Sequence, residues 1–326
     1  MKIIYLSVIV SLLVFTSCEE PDNAINYVLD NVRNGAVLRT RAINNSVYDV
    51  QSPATPISYV LEMQDGNEGE LLERVDVFLS FVDRTSENGD NSTSSVLFKT
   101  LSASDFTQGE RGYPVTELTI TTQEFLENTN LTIDEISCTD KFVIDLTLHL
   151  TNGLAFNHDN SIGPIISYPG SINSPFSYDI YVVEGIDNDK FTGVYDYSSV
   201  VNGFDGPTFI TPNQFTLERS RPNVRHFEIF RDTQQMFDGT FILSEVEFTI
   251  ACDQAIMTRY IRSAIVCSSR VEADHQVLLG PSNDLNGTID EIDDTVFDLR
   301  FIEGFEGNDG FCGWPVTPST FRLTKQ

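Results

Sequence analysis

Basic residues are scarce in this chain. Its 326 residues include 20 Lys and Arg against 48 Asp and Glu, a formal net charge of -28. A field of that sign repels phosphate backbones, which excludes nucleic acid as a partner class. Histidine is rarer still, with four in all, at 149, 158, 226 and 275. None stands in a His-Glu-x-x-His arrangement, and no Gly-x-Ser-x-Gly elbow or phosphate-binding glycine loop occurs. No catalytic residues are nominated, and a non-enzymatic chain is expected. Carboxylates are too numerous for a hydrolytic pair to be picked out without a fold. No segment holds 18 continuous apolar residues, and a spanning helix needs roughly 20. Good helix formers in runs are also few.

What is present begins at the amino terminus. MKIIYLSVIVSLLVFTSC carries one charge, Lys2, then an apolar run over Ile3–Phe15, then small Thr16 and Ser17 before Cys18. A run of that length suits a signal-peptide core, which takes about 7–15 residues, and not a permanent span. Glu19, Glu20 and Asp22 follow at once. The pattern resembles a bacterial lipoprotein signal, and the acidic run resembles the surface-export signal of Bacteroidota lipoproteins. The resemblance implies cleavage before Cys18, lipidation of Cys18 and an outer-membrane anchor facing the medium. Loss of Lys2 with the signal takes the charge from -28 to -29. Several acyl chains on one cysteine would hold the protein without a transmembrane helix, since stable anchoring takes more than one chain.

The remainder reads as β structure. Thr, Ile, Val, Phe and Tyr recur, residue types that suit pleated, half-buried surfaces. In ERVDVFLSFV, Val75, Val77, Leu79 and Phe81 fall on one face; in FVIDLTLHLT, Phe142, Ile144, Leu146, Leu148 and Leu150 do the same. Strands are also predicted at 37–42, 57–62, 96–101, 116–121 and 176–183. Turns are expected at DGNEG and ENGDNS, and a hairpin at Asn152-Gly153. A short helix is predicted over 123–127 with Thr122 as its cap, and Thr132 with Glu135 is spaced as a capping box. His149 falls opposite the leucines, on the solvent-facing side of its strand. These signals predict an all-β chain: an Ig-like β-sandwich at 33–186, then a small antiparallel barrel or sandwich at 187–326. Residues 1–17 are the expected signal peptide and 18–32 an acidic lipidated tether. In the second half, strands are expected at 214–218, 224–230, 240–250, 258–266, 276–279, 295–301 and 320–324.

ERVDVFLSFVD, VLFKTLSASDF, FVIDLTLHLTNG and SPFSYDIYVV resemble the amino-terminal domain of uncharacterised Bacteroidota lipoproteins, chiefly flavobacterial. The stretch from FTGVYDY to CGWPVTPSTFRLTK resembles their second domain. That resemblance implies a two-domain surface lipoprotein beside starch-utilisation-type outer-membrane uptake systems. Its implied partners are the transporter and the transporter's lipoprotein. The implied role is a non-catalytic binding or accessory module for glycan or peptide uptake, with surface adhesion or an unrecognised hydrolase as alternatives. The second domain also resembles lipocalins: Gly193-Val194-Tyr195 stands where Gly-x-Trp opens the barrel, and Arg322 lies in the last strand.

Three further features are candidates. Cys252, Cys267 and Cys312 lie in the carboxy-terminal third, and an exported chain forms disulfides. If 256–266 were one strand it would span about 35 Å, against the ~6 Å Cα separation of a disulfide. A Cys252–Cys267 bridge therefore needs a folded-back loop, and Cys312 is an equal candidate for either partner. Ser282, Asp284, Asn286, Thr288, Asp290 and Asp293 place oxygens at EF-hand positions around Gly287, so calcium is the one cofactor considered. The flanks read as strands, and a solvated acidic turn is the competing reading. Tyr195, Tyr197, Phe204 and Phe209 are available either as a sugar platform or as barrel core.

Overall fold

Alternation decides the architecture. The structure, a computed structural model, describes residues 35–326 except 86–87, 162, 167–171, 205, 210–213, 233–240, 264–276, 282–286 and 305–311. The first half contains β1 (Ala36–Asn45), β2 (Val47–Asp49), β3 (Ile57–Asp65), β4 (Leu72–Val82), β5 (Thr93–Ser102), β6 (Thr107–Gln108) and β7 (Pro114–Ile120). Helix α1 (Thr122–Thr129), β8 (Lys141–Leu150), β9 (Ala155–Phe156), the one-turn α2 (Gly163–Ile166) and β10 (Ser177–Val183) complete it. One sheet runs β1-β3-β7-β6; the other runs β2-β10-β8-β4-β5, with β9 paired to β8. The chain passes from the first sheet to the second at Ser46, after irregularities in β1 between Thr40 and Ala42 and between Ile43 and Asn45. Bulges of this kind bend a strand and redirect it.

The period-two faces of β4 and β8 meet across the antiparallel ladder, Val77 opposite Leu146 and Leu79 opposite Ile144. Both rows are buried, against Leu38, Tyr59, Leu61, Met63 and Ile120 of the facing sheet. The expected hairpin at Asn152-Gly153 joins β8 to β9, with Gly153 at φ 83°. His149, on the outer face of β8, lies 3.0 Å from Asp76. The helix cap differs from expectation. Thr121, not Thr122, is the cap: Glu124 N–H donates to its hydroxyl (3.2 Å) while its own N–H donates to the Glu124 carboxylate (2.7 Å). That reciprocal pair moves the helix start back one residue and aims Phe125 at the ring of Phe142, 4.6 Å away.

The second half contains β11 (Gly193–Val201), β12 (Gln214–Arg221), β13 (Val224–Asp232), β14 (Phe241–Ala251), β15 (Gln254–Met257), β16 (Ile261–Arg262), β17 (Leu278–Gly280), β18 (Gly287–Thr288), β19 (Val296–Glu303) and β20 (Thr317–Lys325). The order β19-β20-β11-β12-β13-β14-β15 closes on itself through a parallel pairing of Ile256 with Arg300. The all-β expectation holds, and the open choice for this half resolves to a seven-strand barrel. The strand expected at 258–266 begins earlier and breaks. A two-residue turn at Cys252-Asp253, with Cys252 at φ 53°, sends β15 straight back along β14, and β16 covers only Ile261 and Arg262.

Aromatic rings fill the barrel. Phe215 stacks on Phe227 with centroids 4.1 Å apart, and Phe321 meets Phe209 and Phe301 at 5.6 and 5.3 Å. At one end the Tyr195 hydroxyl donates to the Asp294 carbonyl (2.9 Å), and the Lys325 ammonium lies 5.8 Å over the Tyr195 ring. Lys325 also pairs with the Asp294 carboxylate at 2.6 Å. Burial works to raise that carboxyl, but the hydrogen bonds from Lys325 and the Phe191 N–H hold it below its ordinary range. Lys325 is therefore a cation at this barrel end. Arg322 instead sits outside, paired with Asp298 at 2.8 and 3.0 Å.

Ala36–Gln326 form one compact unit, and sandwich and barrel meet through a small cluster of their own. Val47, Tyr181 and Val183 of the sandwich pack with Val224, Ala251 and Ile256 of the barrel. Two hairpin tips make the barrel side. Asn223, at φ 56°, turns the β12–β13 hairpin, and its amide donates to the Glu184 carbonyl (2.6 Å) and the Ile250 carbonyl (2.9 Å). Cys252 turns the β14–β15 hairpin and is disulfide-bonded to Cys138, with a Cα separation of 6.2 Å. Of the pairings left open within the carboxy-terminal third, this removes the two that used Cys252. The tight turn at Cys252 points its side chain at the sandwich. Cys312 is also disulfide-bonded, and Cys267 lies outside the described residues.

Candidate functional site: a cleft between sandwich and barrel

Beside this junction lies a cavity of about 230 Å³. The sandwich contributes Thr40 and Ile43 from β1, Ser46, Tyr59 from β3, Lys141 from β8, and Ser177, Tyr178 and Asp179 from β10. The barrel contributes Arg221 at the end of β12, Glu247 and Thr249 from β14, and Thr258, Arg259 and Tyr260 after β15. Strand alternation explains the barrel set. Val246, Phe248 and Ile250 point into the barrel core, which turns Glu247 and Thr249 outward onto the cleft.

Two ion-pair groups face each other there. On the barrel side the Glu247 carboxylate takes Arg221 at 2.6 Å and Arg259 at 3.4 Å. Burial works to raise the Glu247 carboxyl; the two guanidiniums outweigh it and leave it below the usual carboxylate range. Arg221 also donates from Nε to the Ser46 hydroxyl at 3.3 Å, so one side chain ties the barrel to the sandwich. On the sandwich side Lys141 pairs with Asp179 at 2.8 Å. The Tyr178 hydroxyl shares a 2.7 Å hydrogen bond with Thr40, and its ring lies 4.3 Å from that of Tyr59. Burial pushes the Tyr178 hydroxyl up to about 12, and burial with nearby Asp179 does the same for Tyr260. Both are therefore neutral hydroxyls at ordinary pH.

None of the cleft side chains was a candidate site residue in the sequence, although Ser177, Tyr178 and Asp179 lie within SPFSYDIYVV. Lys141 precedes a strongly alternating strand and Glu247 interrupts another. Those were the available signals, and they mark only an outward face. The residues singled out in the sequence lie elsewhere. Cys18, Glu19, Glu20 and Asp22 are outside the described residues, as are Ser282, Asp284 and Asn286 of the calcium candidate. Of the rest of that segment, the Asp290 carboxylate accepts from Ile292 N–H (2.9 Å) and Asp293 from Thr295 N–H (3.0 Å), closing local turns. Gly287 is required for a packing reason: a Cβ there would overlap the Asp298 carbonyl oxygen, where β18 crosses β19. Among the described residues no group of three or more His, Cys, Asp or Glu side chains is placed to hold a metal. Tyr195, Tyr197 and Phe209 are in the barrel core. Phe204 is half exposed and stacks on Trp314, centroids 4.9 Å apart.

Comparison with known proteins adds little. No protein-family model matches the chain, and no curated protein matches it. Among solved structures, the sporulation control protein Spo0M of Bacillus subtilis aligns over 69% of this chain and 78% of its own, at 12% identity and a TM-score of 0.24. A Bacteroides ovatus protein of unknown function aligns over 90% of this chain and 94% of its own, at 11% identity and a TM-score of 0.25. Likenesses this low bear on neither the fold nor the site. What the fold and cleft define is a class: a two-part all-β protein with a polar cleft at the junction of sandwich and barrel.

Proposed function

We propose that this chain is a surface-anchored, non-catalytic binding module, held at the outer membrane through a lipid on Cys18. In this reading it serves as an accessory of an outer-membrane nutrient-uptake complex and captures a glycan or peptide ligand in the interdomain cleft. The observation that carries it is the cleft itself. It is preformed, braced by the Cys138–Cys252 disulfide, and its carboxylates Glu247 and Asp179 are each held by cations rather than left as proton carriers. The barrel interior, among the described residues, is packed with rings.

The test uses the full lipoprotein extracted in detergent. Cys18→Ala should lose metabolic palmitate labelling and external protease accessibility. Ser46→Trp, which fills the cleft, should lose a co-purifying outer-membrane partner or a bound glycan or peptide that the wild type retains. Identical recovery from wild type and Ser46→Trp would remove the cleft from the function. A surface-adhesion role has its own support in the exposed apolar side chains Val200, Val201, Phe204 and Val316. Adhesion that survives Ser46→Trp would favour it.

A further inference from the structure

We infer that the cleft takes an uncharged, hydroxyl-rich ring: a neutral sugar, or the neutral terminal sugar of a longer chain. This rests on the reading of the cleft as the binding site and names what fits it.

The charged groups lining the cleft already answer one another. Lys141 pairs with Asp179 at 2.8 Å, and its ammonium also lies 6.0 Å over the Tyr181 ring. Glu247 takes Arg221 at 2.6 Å and Arg259 at 3.4 Å. Arg221 Nε donates to the Ser46 hydroxyl, and His158 Nδ1 is 2.9 Å from the Pro175 carbonyl oxygen. Both ion-pair groups are shielded from solvent, with the Lys141, Arg221 and Glu247 side chains 9%, 14% and 4% exposed.

A charged ligand of either sign therefore meets its like as closely as its opposite. An anion at Arg221 or Arg259 stands beside the Glu247 carboxylate; a cation at Asp179 stands beside the Lys141 ammonium. To gain a partner outright, such a ligand has to part a shielded pair and leave one member uncompensated, which is the costly outcome. A neutral hydroxyl carries no such cost. It donates to a carboxylate oxygen or accepts from a guanidinium while the pair stays closed.

Lining and volume point the same way. The hydroxyls of Thr40, Ser46, Thr249 and Thr258 face the space. A surface of this kind matches a ligand that is itself dense in hydroxyls, because buried polar groups are hydrogen-bonded. Tyr260 supplies a flat wall. Its ring lies so close over Gly280 that a Cβ there would come within 2.3 Å of a ring carbon, so the glycine sets where the wall stands. A sugar presents both a C–H face and a rim of hydroxyls, which suits a ring wall among hydroxyls. About 230 Å³ is below the ~300–1,000 Å³ of sites for drug-sized ligands. One sugar ring is the matching size.

The experiment is titration calorimetry on the full chain, in a detergent without a sugar headgroup. The neutral probes are D-glucose, D-galactose and D-mannose. Each is compared with the uronate and the 2-amino sugar of the same configuration. At least one neutral hexose should bind at millimolar concentration, about tenfold or more tighter than its charged counterparts, which have to disturb a shielded pair. Its affinity should not change with added salt, because no net charge is being screened. Thr249→Val, which removes a lining hydroxyl, should weaken that hexose roughly fivefold, the scale of one hydrogen bond. A melt like that of the wild type is required, and Thr258→Val replaces Thr249→Val if it fails that check. A uronate or amino sugar that binds as tightly as the neutral hexose overturns the preference for neutrality and leaves the cleft as a binding site. No heat from any probe overturns the ligand class. The cleft reading itself falls only if Ser46→Trp also changes nothing in the co-purification experiment.

Discussion

In the sandwich, aliphatic side chains such as Val75, Val77, Leu79, Ile144, Leu146 and Leu148 make most of the core, and rings supply eight of its 25 described buried residues. In the barrel, rings supply ten of the 20 described buried residues, from Phe191 to Phe321. Flat, open sheets set opposite each other interdigitate aliphatic side chains at about 10 Å spacing. A closed seven-strand barrel must fill a round interior from all sides, and large rings packed edge to face do so with few side chains. The consequence concerns where a ligand can go. Among the described residues both interiors are filled by side chains, and a cavity lies where the two solutions abut. The cleft belongs to neither half alone.

Core truncation breaks the comparison most severely. Phe321→Ala removes a ring that meets Tyr197, Phe209, Phe227 and Phe301 at 5.3–6.2 Å. A loss of about 3–5 kcal/mol is expected for such a deletion. Leu146→Ala in the sandwich should cost about 2–5 kcal/mol. The chain has one Trp, Trp314, which stacks on Phe204 of the barrel, so its fluorescence follows the barrel while circular dichroism follows both halves. In urea, Phe321→Ala should shift the fluorescence transition ahead of the dichroism transition, and Leu146→Ala should not. Coincident transitions in both variants would mean the two halves unfold as one body whatever their cores contain.

The disulfide comes next. Cys138 and Cys252 are 114 residues apart, a span for which loop-closure entropy gives roughly 5 kcal/mol, with native bridges measured at about 2–5. The hydrophobic junction that it supports has six buried residues among those described. Cys252→Ser should therefore lower stability by about 2–5 kcal/mol and split one melt into two. Cys138→Ser should do the same, and the double variant should be no worse than either single one, because all three remove one bond. A single unaltered melt in Cys252→Ser would show the apolar junction suffices.

How much of this was legible depends on the range of the interaction. The faces of β4 and β8 could be read directly, because alternation is a local property and both rows turned out buried. The helix begins one residue before its predicted start, because Thr121 and Thr122 are chemically equivalent and only the path of the chain selects between them. The break after β15 is not legible, because a left-handed Cys252 carries no mark in the sequence. The disulfide and the cleft were not legible at all. Cys138 and Cys252 meet only after two separate folds have docked. Arg221 and Glu247 read as ordinary outward charges until the sandwich surface covers them. Alternation assigns a side chain to a face of its strand and is silent on what that face meets.

Acid gives the finest probe of that docking. The Glu247 carboxyl is held below its ordinary value of 4.5 in the folded protein, as Arg259 and Arg221 outweigh its burial. A carboxyl depressed by folding contributes stability that is fully present above the unfolded value and fades as pH falls from about 4.5 through the lower folded value. Acidification across that window should therefore weaken the anchor of Arg221, the side chain that also reaches Ser46. Its effect on global stability should be smaller than that of losing a core ring or the disulfide. The melting temperature of wild type and Glu247→Gln should be compared from pH 6 down to pH 3, pH values chosen to bracket the ~4.5 reference range of a glutamate. The wild type should be the more stable at the upper end, and the two should converge as the pH falls. The narrowing should be larger in the intact disulfide form than in Cys252→Ser, where the halves no longer hold the cleft in register. A constant gap at all pH values would mean that Glu247 acts by shape and not by charge.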